Sequence, residues 1–571
     1  MNNIIGQGKN SVSFDAIVIG TGITGGWAAK ELCEKGLDTL VLERGRMIEH
    51  VKDYTTMYDD RWDFKYRGML SRQEMKKYPK QRRTGYTINA ASKQWFVNDL
   101  ENPYNEVKRF DWIRGYQVGG RSITWGRQSY RWSDLDFEAN GKEGIGVDWP
   151  IRYKDLDPWY GYVERHIGVS GSKEGLPQLP DGEFLPPMEM NCVEEHVRDK
   201  IAENFNGRVM TIGRTANLTG NRAFKYRSRC QFRDRCIRGC PYGGYFSSLS
   251  STLPYAEATG NMTLRPDSIV HSIIYDDHTG LATGVRVIDR VSHEEHEFFA
   301  KVIFVNASTV GSAAILLNSI SERFPDGLGN DSGELGHNLM DHHFETGAYG
   351  VFDGFEGYYY KGRRPNGIYI PRFRNLGDTA SKRNYLRGFG YQGGAGRQGW
   401  RKNVAEMSFG QDLKDEIMKP GKWSMGLGGF GEFLPYHENK MYLDNEKKDK
   451  WGLPIVTFDC EFKENELKMR EDMRNAAAEM LETCGLKNVQ TYDRHPGPGL
   501  GIHEMGTARM GRDPKTSVLN GFNQVHAVKN VYVTDGACMA STACQNPSLT
   551  YMALTARACD HAVNELKNKN F

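Results

Sequence analysis

Residues 15–45 read DAIVIGTGITGGWAAKELCEKGLDTLVLERG. An apolar run stops at Gly20, a helical stretch is closed by Gly36, and a second apolar run stops at Glu43. That order is one βαβ unit, and it places Gly20, Gly22 and Gly25 as G-x-G-x-x-G where a strand turns into a helix. Glycines there let the backbone approach a pyrophosphate at a helix N-terminus, whose dipole favours anions. Glu43 stands 23 positions after Gly20, where a carboxylate accepts hydrogen bonds from a ribose 2′-hydroxyl. A dinucleotide site follows, although this unit alone does not separate NAD from FAD.

The rest of the composition narrows the class. The chain has 571 residues and a formal net charge of only +2, which predicts a soluble globular protein of several domains and argues against a nucleic-acid-binding protein. No apolar run reaches the length of a membrane span, and the opening MNNIIGQGKN lacks the segments of a signal peptide. The expectation is a chain with no direct membrane insertion and no export tag of its own. Seven of its ten cysteines are scattered, so they form no disulfide framework.

Further motifs lie far apart in the chain: RGYQVGGRSITWG (114–126), VIFVNASTVGSAAILLNS (302–319), ELGHNLMDHH (334–343), GIHEMGTARMG (501–511) and VTDGACMASTACQNPSLT (533–550). Taken in this order, they resemble the glucose-methanol-choline (GMC) flavoprotein oxidoreductases over nearly the whole length. The resemblance implies an α/β (α+β) architecture, with a Rossmann-like FAD-binding domain and a substrate domain built on an antiparallel sheet. It also implies FAD contacts from Gly119, Gly120, Ser122, Asn306, Asp535 and Asn546, and alcohol oxidation with His503 as the base and Asn546 as its partner. Histidine suits that proton transfer because its ordinary pKa is ~6.5. Some relatives tether the flavin through a histidine where this chain carries Thr124, so the FAD is expected to be non-covalent. Asp535 also reads as a simple turn aspartate beside Gly536. His495 and the pair His342–His343 read as ordinary loop and flavin-domain residues.

The cysteines that cluster are Cys230, Cys236 and Cys240, in CQFRDRCIRGCPYGG (230–244). Their spacing is not a zinc-finger pair, and it differs from ferredoxin patterns. It resembles the FAD subunits of bacterial sugar dehydrogenases in the family, which implies an iron-sulfur cluster, 3Fe-4S in type, as a one-electron exit from the flavin. Two other readings stay open: buried thiols that bind nothing, and a metal-stabilised loop for nucleic acid, since Arg229, Arg233, Arg235 and Arg238 lie among aromatic residues. The arginines are expected to offset cluster charge and help dock an acidic redox partner.

The flavin motifs assign residues 1–130, 225–345 and 500–571 to the FAD-binding domain, with 131–224 and 346–499 as the substrate side. Glycine-punctuated stretches such as LRGFGYQGGAGR and SMGLGGFGEFLP predict antiparallel strands. FKENELKMREDMRNAAAEMLETCG (462–485) predicts an amphipathic helix ended by Gly485, and 170–190 reads as a surface excursion or lid. Gln392 and Glu432 are candidate contacts to sugar hydroxyls. The chain looks most like glucoside 3-dehydrogenase and gluconate 2-dehydrogenase flavoproteins, which implies oxidation of a sugar or glucoside at C3. That likeness further implies a small subunit bearing the export signal, a cytochrome c-type acceptor and a periplasmic location. The alternatives are a gluconate 2-dehydrogenase-like or other sugar or sugar-acid dehydrogenase, an oxidase using oxygen and, for the location, the cytoplasm.

Overall fold

Strand Ser13–Ile19 forms the middle of a parallel array, with Thr39–Leu42 on one side and the second half of Glu295–Val305 on the other; Ile17 faces Leu40 and Ile303. Met262–Arg265 extends one edge and Val528–Val533 the other, both parallel. Ile17, Val18 and Val302 to Val305 are fully enclosed, as strands covered on both faces must be. Helix Ile23–Glu34 follows the first strand and packs against helix Ser548–Lys567, whose alanines permit close approach. The first half of Glu295–Val305 instead pairs antiparallel with Leu281–Asp289, which forms a hairpin with Ser268–Asp276. This computed structural model describes residues 12–60, 62–85, 87–359, 364–377, 381–399 and 409–571. The opening MNNIIGQGKN lies outside them.

A second, six-stranded sheet is antiparallel throughout. It runs in the order Lys487–Asp493, Thr346–Phe352, Trp423–Gly431, Phe389–Arg397, Ile368–Ile370 and Thr211–Ile212. Both glycine-punctuated stretches are therefore strands, and they pair with each other, Gln392 opposite Gly428. Helix Glu464–Thr483 lies across this sheet, burying Met469, Met473, Ala476, Ala477 and Met480 at helical spacing against Ala348, Met425 and Leu427. It ends as expected, with Gly485 at φ 86°.

One segment differs from its composition. Within 170–190, Leu179 is fully buried with Tyr130 and Tyr369, whose rings stack at 4.1 Å. The enclosed Arg214 explains the inward turn: it donates to the Pro180 carbonyl at 2.6 Å and to Asp181 at 2.8 Å. A buried guanidinium needs such partners, and they outweigh the surface preference of Gly and Pro. Among the described residues, no helix is long and apolar enough to cross a membrane.

Candidate active site

The parallel strands share one end, and the residues that follow them meet there. Gly20, Glu43, Asn306 and Asp535 come just after Ile19, Leu42, Val305 and Val533, at the carboxyl edge where ligands sit in open α/β sheets. They line a cavity of about 780 Å³ that continues to His503 and Asn546. A Cβ on Gly20, at φ 99°, would stand 2.4 Å from the Asn306 carbonyl oxygen, and one on Gly25 would stand 2.0 Å from the Gly20 oxygen. Gly25 therefore serves strand–helix contact from behind the cavity wall. Gly22 precedes helix Ile23–Glu34, and a Cβ there would meet nothing within 4 Å. The second glycine turn faces it: a Cβ on Gly120 would lie 3.2 Å from the Gly22 Cα.

Glu43 is tied down by its surroundings. It accepts from Thr21 Oγ1 at 2.5 Å, Thr21 N–H at 3.2 Å and Gly45 N–H at 2.8 Å, while burial pushes its pKa up. Thr21 Oγ1 in turn accepts the Gly119 N–H at 3.0 Å, so Gly119 joins the two turns from behind the wall. Ser122 lines the cavity; its hydroxyl donates to the Gly119 carbonyl (2.5 Å) and its oxygen accepts the Ser248 N–H (3.1 Å). Asp535 is both a turn aspartate and a wall residue: it accepts from Ala537 N–H at 3.0 Å and Ser312 Oγ at 2.5 Å, and burial raises it to about 6. Asn306 accepts from Thr534, but its buried Nδ2 has no protein partner. An orphan donor, two facing glycine turns and a helix N-terminus suit an FAD pyrophosphate, and Glu43 suits its ribose.

At the other end, His503 Nε2 lies 3.3 Å from Asn546 Nδ2, and His503 Nδ1 lies 2.7 Å from His342 Nδ1. By sequence His342 is an ordinary flavin-domain histidine, yet the fold brings it to the site from 161 positions away. The backbone decides the protons. His342 Nε2 points at the Ala543 carbonyl and must donate, and burial holds His342 down at about 4, so it is neutral and its Nδ1 accepts. His503 therefore carries its proton on Nδ1 and presents the Nε2 lone pair to the Asn546 N–H and the cavity. Burial, followed by the nearby His342 and Arg121, holds His503 well below the ordinary histidine range, which keeps its imidazole neutral and able to accept a proton.

Asp341 positions the turn that carries His503. It accepts from the backbone N–H of Gly499 (2.8 Å), Gly501 (2.8 Å) and His503 (3.0 Å). Between them Ile502 is held at φ 59°, a strained conformation for a β-branched residue. Arg121 pairs with Glu504 at 3.1 Å beside the same wall. The DHH and HEM stretches carry these residues, yet no spacing in the chain announces that they converge. Of the two suggested sugar contacts, Gln392 lines the cavity, whereas Glu432 is buried on Arg372 at 2.8 Å and does not. A carboxylate in the interior takes a guanidinium before it takes a substrate. His495 is exposed, in a stretch without regular structure.

The cysteine loop reaches the cavity from its side. Cys236 is part of the cavity wall, Cys230 Sγ accepts from Asn217 Nδ2 at 3.8 Å, and Cys240 Sγ accepts from the Gly244 N–H at 3.4 Å. Burial raises the Cys230 and Cys236 thiols, with Cys240 adding to both. Arg227 is buried beside Cys240 with its Nη2 unpartnered, and burial pushes it down to about 9. Thiols, N–H donors to sulfur and an uncompensated cation are chemistry suited to an anionic metal–sulfur group. Among the described residues, no three His, Cys, Asp or Glu side chains are arranged to hold a metal ion. Arg233, Arg235 and Arg238 donate to the carbonyls of Met57 (2.6 Å), Tyr58 (2.7 Å) and Asp59 (2.6 Å), so they hold the loop to the 56–60 segment besides carrying charge.

Family models described as GMC oxidoreductase match residues 14–344 and 435–555. The chain is 28% identical to 2-methyl-1,2-propanediol dehydrogenase of Mycolicibacterium austroafricanum, covering 96% of this chain and 94% of that one. It is 25% identical to the fructose dehydrogenase large subunit of Gluconobacter japonicus (98% and 99% covered), and 24% identical to the gluconate 2-dehydrogenase flavoprotein of Pantoea cypripedii (95% and 90%). Pyridoxine 4-oxidase from Mesorbium loti shares the fold, with a TM-score of 0.59 at 14% identity over 96% of this chain and 98% of that one.

Proposed function

Since the chain belongs to the GMC oxidoreductase family, which acts with FAD on the CH–OH groups of sugars and alcohols, we propose that it is a sugar dehydrogenase oxidising the C3 hydroxyl of glucose or a glucoside to a 3-keto sugar. The observation that carries this reading is the convergence of His503 Nε2 and Asn546 Nδ2 in a cavity continuous with the glycine turns. His503 Nε2 takes the hydroxyl proton, and the Asn546 N–H holds the oxygen as negative charge grows on it. FAD, when bound, supplies the hydride acceptor. Gly20, Gly22, Glu43, Gly120 and Asn306 hold the cofactor without a covalent tether. Relatives named for fructose and gluconate support a sugar-like substrate; the choice of C3 rests on the sequence resemblance alone.

For the electrons' exit we propose that Cys230, Cys236 and Cys240 would hold an iron-sulfur cluster of the 3Fe-4S type, which would pass electrons on singly, although the three side chains as placed here form no metal-holding group. The position of Cys236 in the cavity wall supports this, as does Arg227 beside Cys240, whose Nη2 has no partner. The acceptor is then a cytochrome c-type protein, and a small partner subunit carries the pair to the periplasm. That one relative is named as a large subunit accords with a multi-subunit assembly. Electron paramagnetic resonance before and after anaerobic addition of methyl glucoside tests the whole circuit: an oxidised-cluster signal fades as the flavin bleaches. Bleaching without any cluster signal, in protein shown to retain its iron, removes the cluster; hydrogen peroxide release in its place makes the protein an oxidase.

A further inference from the structure

A line of side-chain amides runs from the substrate sheet to the reaction centre, and the backbone sets its polarity. Gln128 Nε2 donates to Asn366 Oδ1 at 2.6 Å, and Asn366 Nδ2 donates back to Gln128 Oε1 at 2.9 Å. The Gly367 N–H donates to Asn366 Oδ1 (2.8 Å) and the Arg214 carbonyl accepts from Asn366 Nδ2 (3.4 Å), so neither amide can be turned over. Tyr130 OH takes the last lone pair of Gln128 Oε1 at 2.6 Å. The remaining Gln128 proton goes to Gln392 Oε1 (3.0 Å), Gln392 Nε2 donates to Asn546 Oδ1 (2.7 Å), and Asn546 Nδ2 faces His503 Nε2. This line reaches the same protonation of His503 that His342 imposes from the opposite side.

Counting donors and acceptors shows where capacity is left over. Gln128 and Asn366 spend both protons and both oxygen lone pairs within the line. Gln392 spends one of each and keeps one N–H and one lone pair, on a side chain that lines the cavity next to the reacting position. A hydroxyl group is itself one donor and one acceptor. We propose that Gln392 is a specificity-determining residue that grips the hydroxyl next to the one oxidised, so that the site selects vicinal diols over isolated alcohols. This rests on His503 and Asn546 as the reaction centre. An alcohol lacking the neighbouring hydroxyl leaves the Gln392 groups unpaired, and sites built to hydrogen-bond a hydroxyl reject substrates without it.

The test is kcat/KM for anaerobic flavin reduction by methyl α-glucopyranoside and its 2-, 3- and 4-deoxy forms, with propane-1,2-diol and propan-2-ol in parallel. The wild-type protein, Gln392→Ala and Gln392→Met are compared. In the wild type, one deoxy sugar that keeps the reacting hydroxyl falls about 10- to 100-fold below the parent. In both variants the parent drops toward that deoxy sugar, and the gap closes to about threefold. If parent and deoxy sugar fall by the same factor, Gln392 acts only through Asn546 and the proposal is overturned; equal wild-type rates with and without the neighbouring hydroxyl overturn it as well. Silence with every sugar while propane-1,2-diol reduces the flavin and propan-2-ol does not sinks the glucoside reading and upholds the diol grip. Silence with all of them overturns both.

Discussion

Replacing His342 by Leu removes the acceptor for the His503 Nδ1 proton while keeping the space filled. In the wild type that contact is 2.7 Å between ring nitrogens, inside protein, with the far side of His342 held by the Ala543 carbonyl. Without it, His503 either buries an unpaired N–H or moves its proton to Nε2, and the second choice abolishes the base. An unsatisfied buried donor costs about 1–3 kcal/mol. Set against the barrier for proton removal, this is a loss of about 5- to 150-fold in the flavin reduction rate at saturating sugar. His342→Asn restores an acceptor near the Nδ1 position and should recover most of the loss, which a merely disturbed core would not allow. The assay is anaerobic stopped-flow bleaching of the flavin, with FAD content measured first. A His342→Leu protein reducing its flavin within about twofold of wild type would refute the protonation argument, as would equal losses in the Leu and Asn variants.

The pH dependence of sugar-driven reduction follows from the sign of the His503 shift. Its pKa is depressed, so the neutral base persists below pH 6.5, and kcat/KM should stay flat from pH 8 through 6.5 and decline only in more acid solution. A midpoint near 7 would instead point to Asp341, which burial and Glu504 push up to about 7. Gly20→Ala forces a side chain into left-handed backbone 2.4 Å from the Asn306 oxygen; the protein should lose FAD on gel filtration, read from the ratio of flavin to protein absorbance. Arg227→Met removes the buried cation beside Cys240 and should lower iron and acid-labile sulfide per flavin several-fold with FAD retained; unchanged loading contradicts the assigned role.

Much of this site was legible from local pattern, because local chemistry dictates it. A glycine turn after an apolar strand has few uses, so the sequence alone marks Gly20, Gly22 and Glu43 as ligand-facing, and all three line the cavity. The glycine-punctuated strands follow from side-chain periodicity, and the helix end at Gly485 from a φ of 86° that glycine adopts without strain. His503 and Asn546 came from motif resemblance, not periodicity, and the fold brings them to 3.3 Å of each other. What the tertiary structure alone decided are the partnerships across long separations. His342 meets His503, Gln128 meets Gln392 264 positions away, and the buried Glu432 belongs to Arg372 instead of a sugar. The physical reason is that periodicity records which face of an element is covered, whereas a hydrogen bond between two elements depends on the angle and register at which they pack. A shift of one residue in the strand carrying Gln392 would turn that side chain to the other face of its sheet and break the amide line.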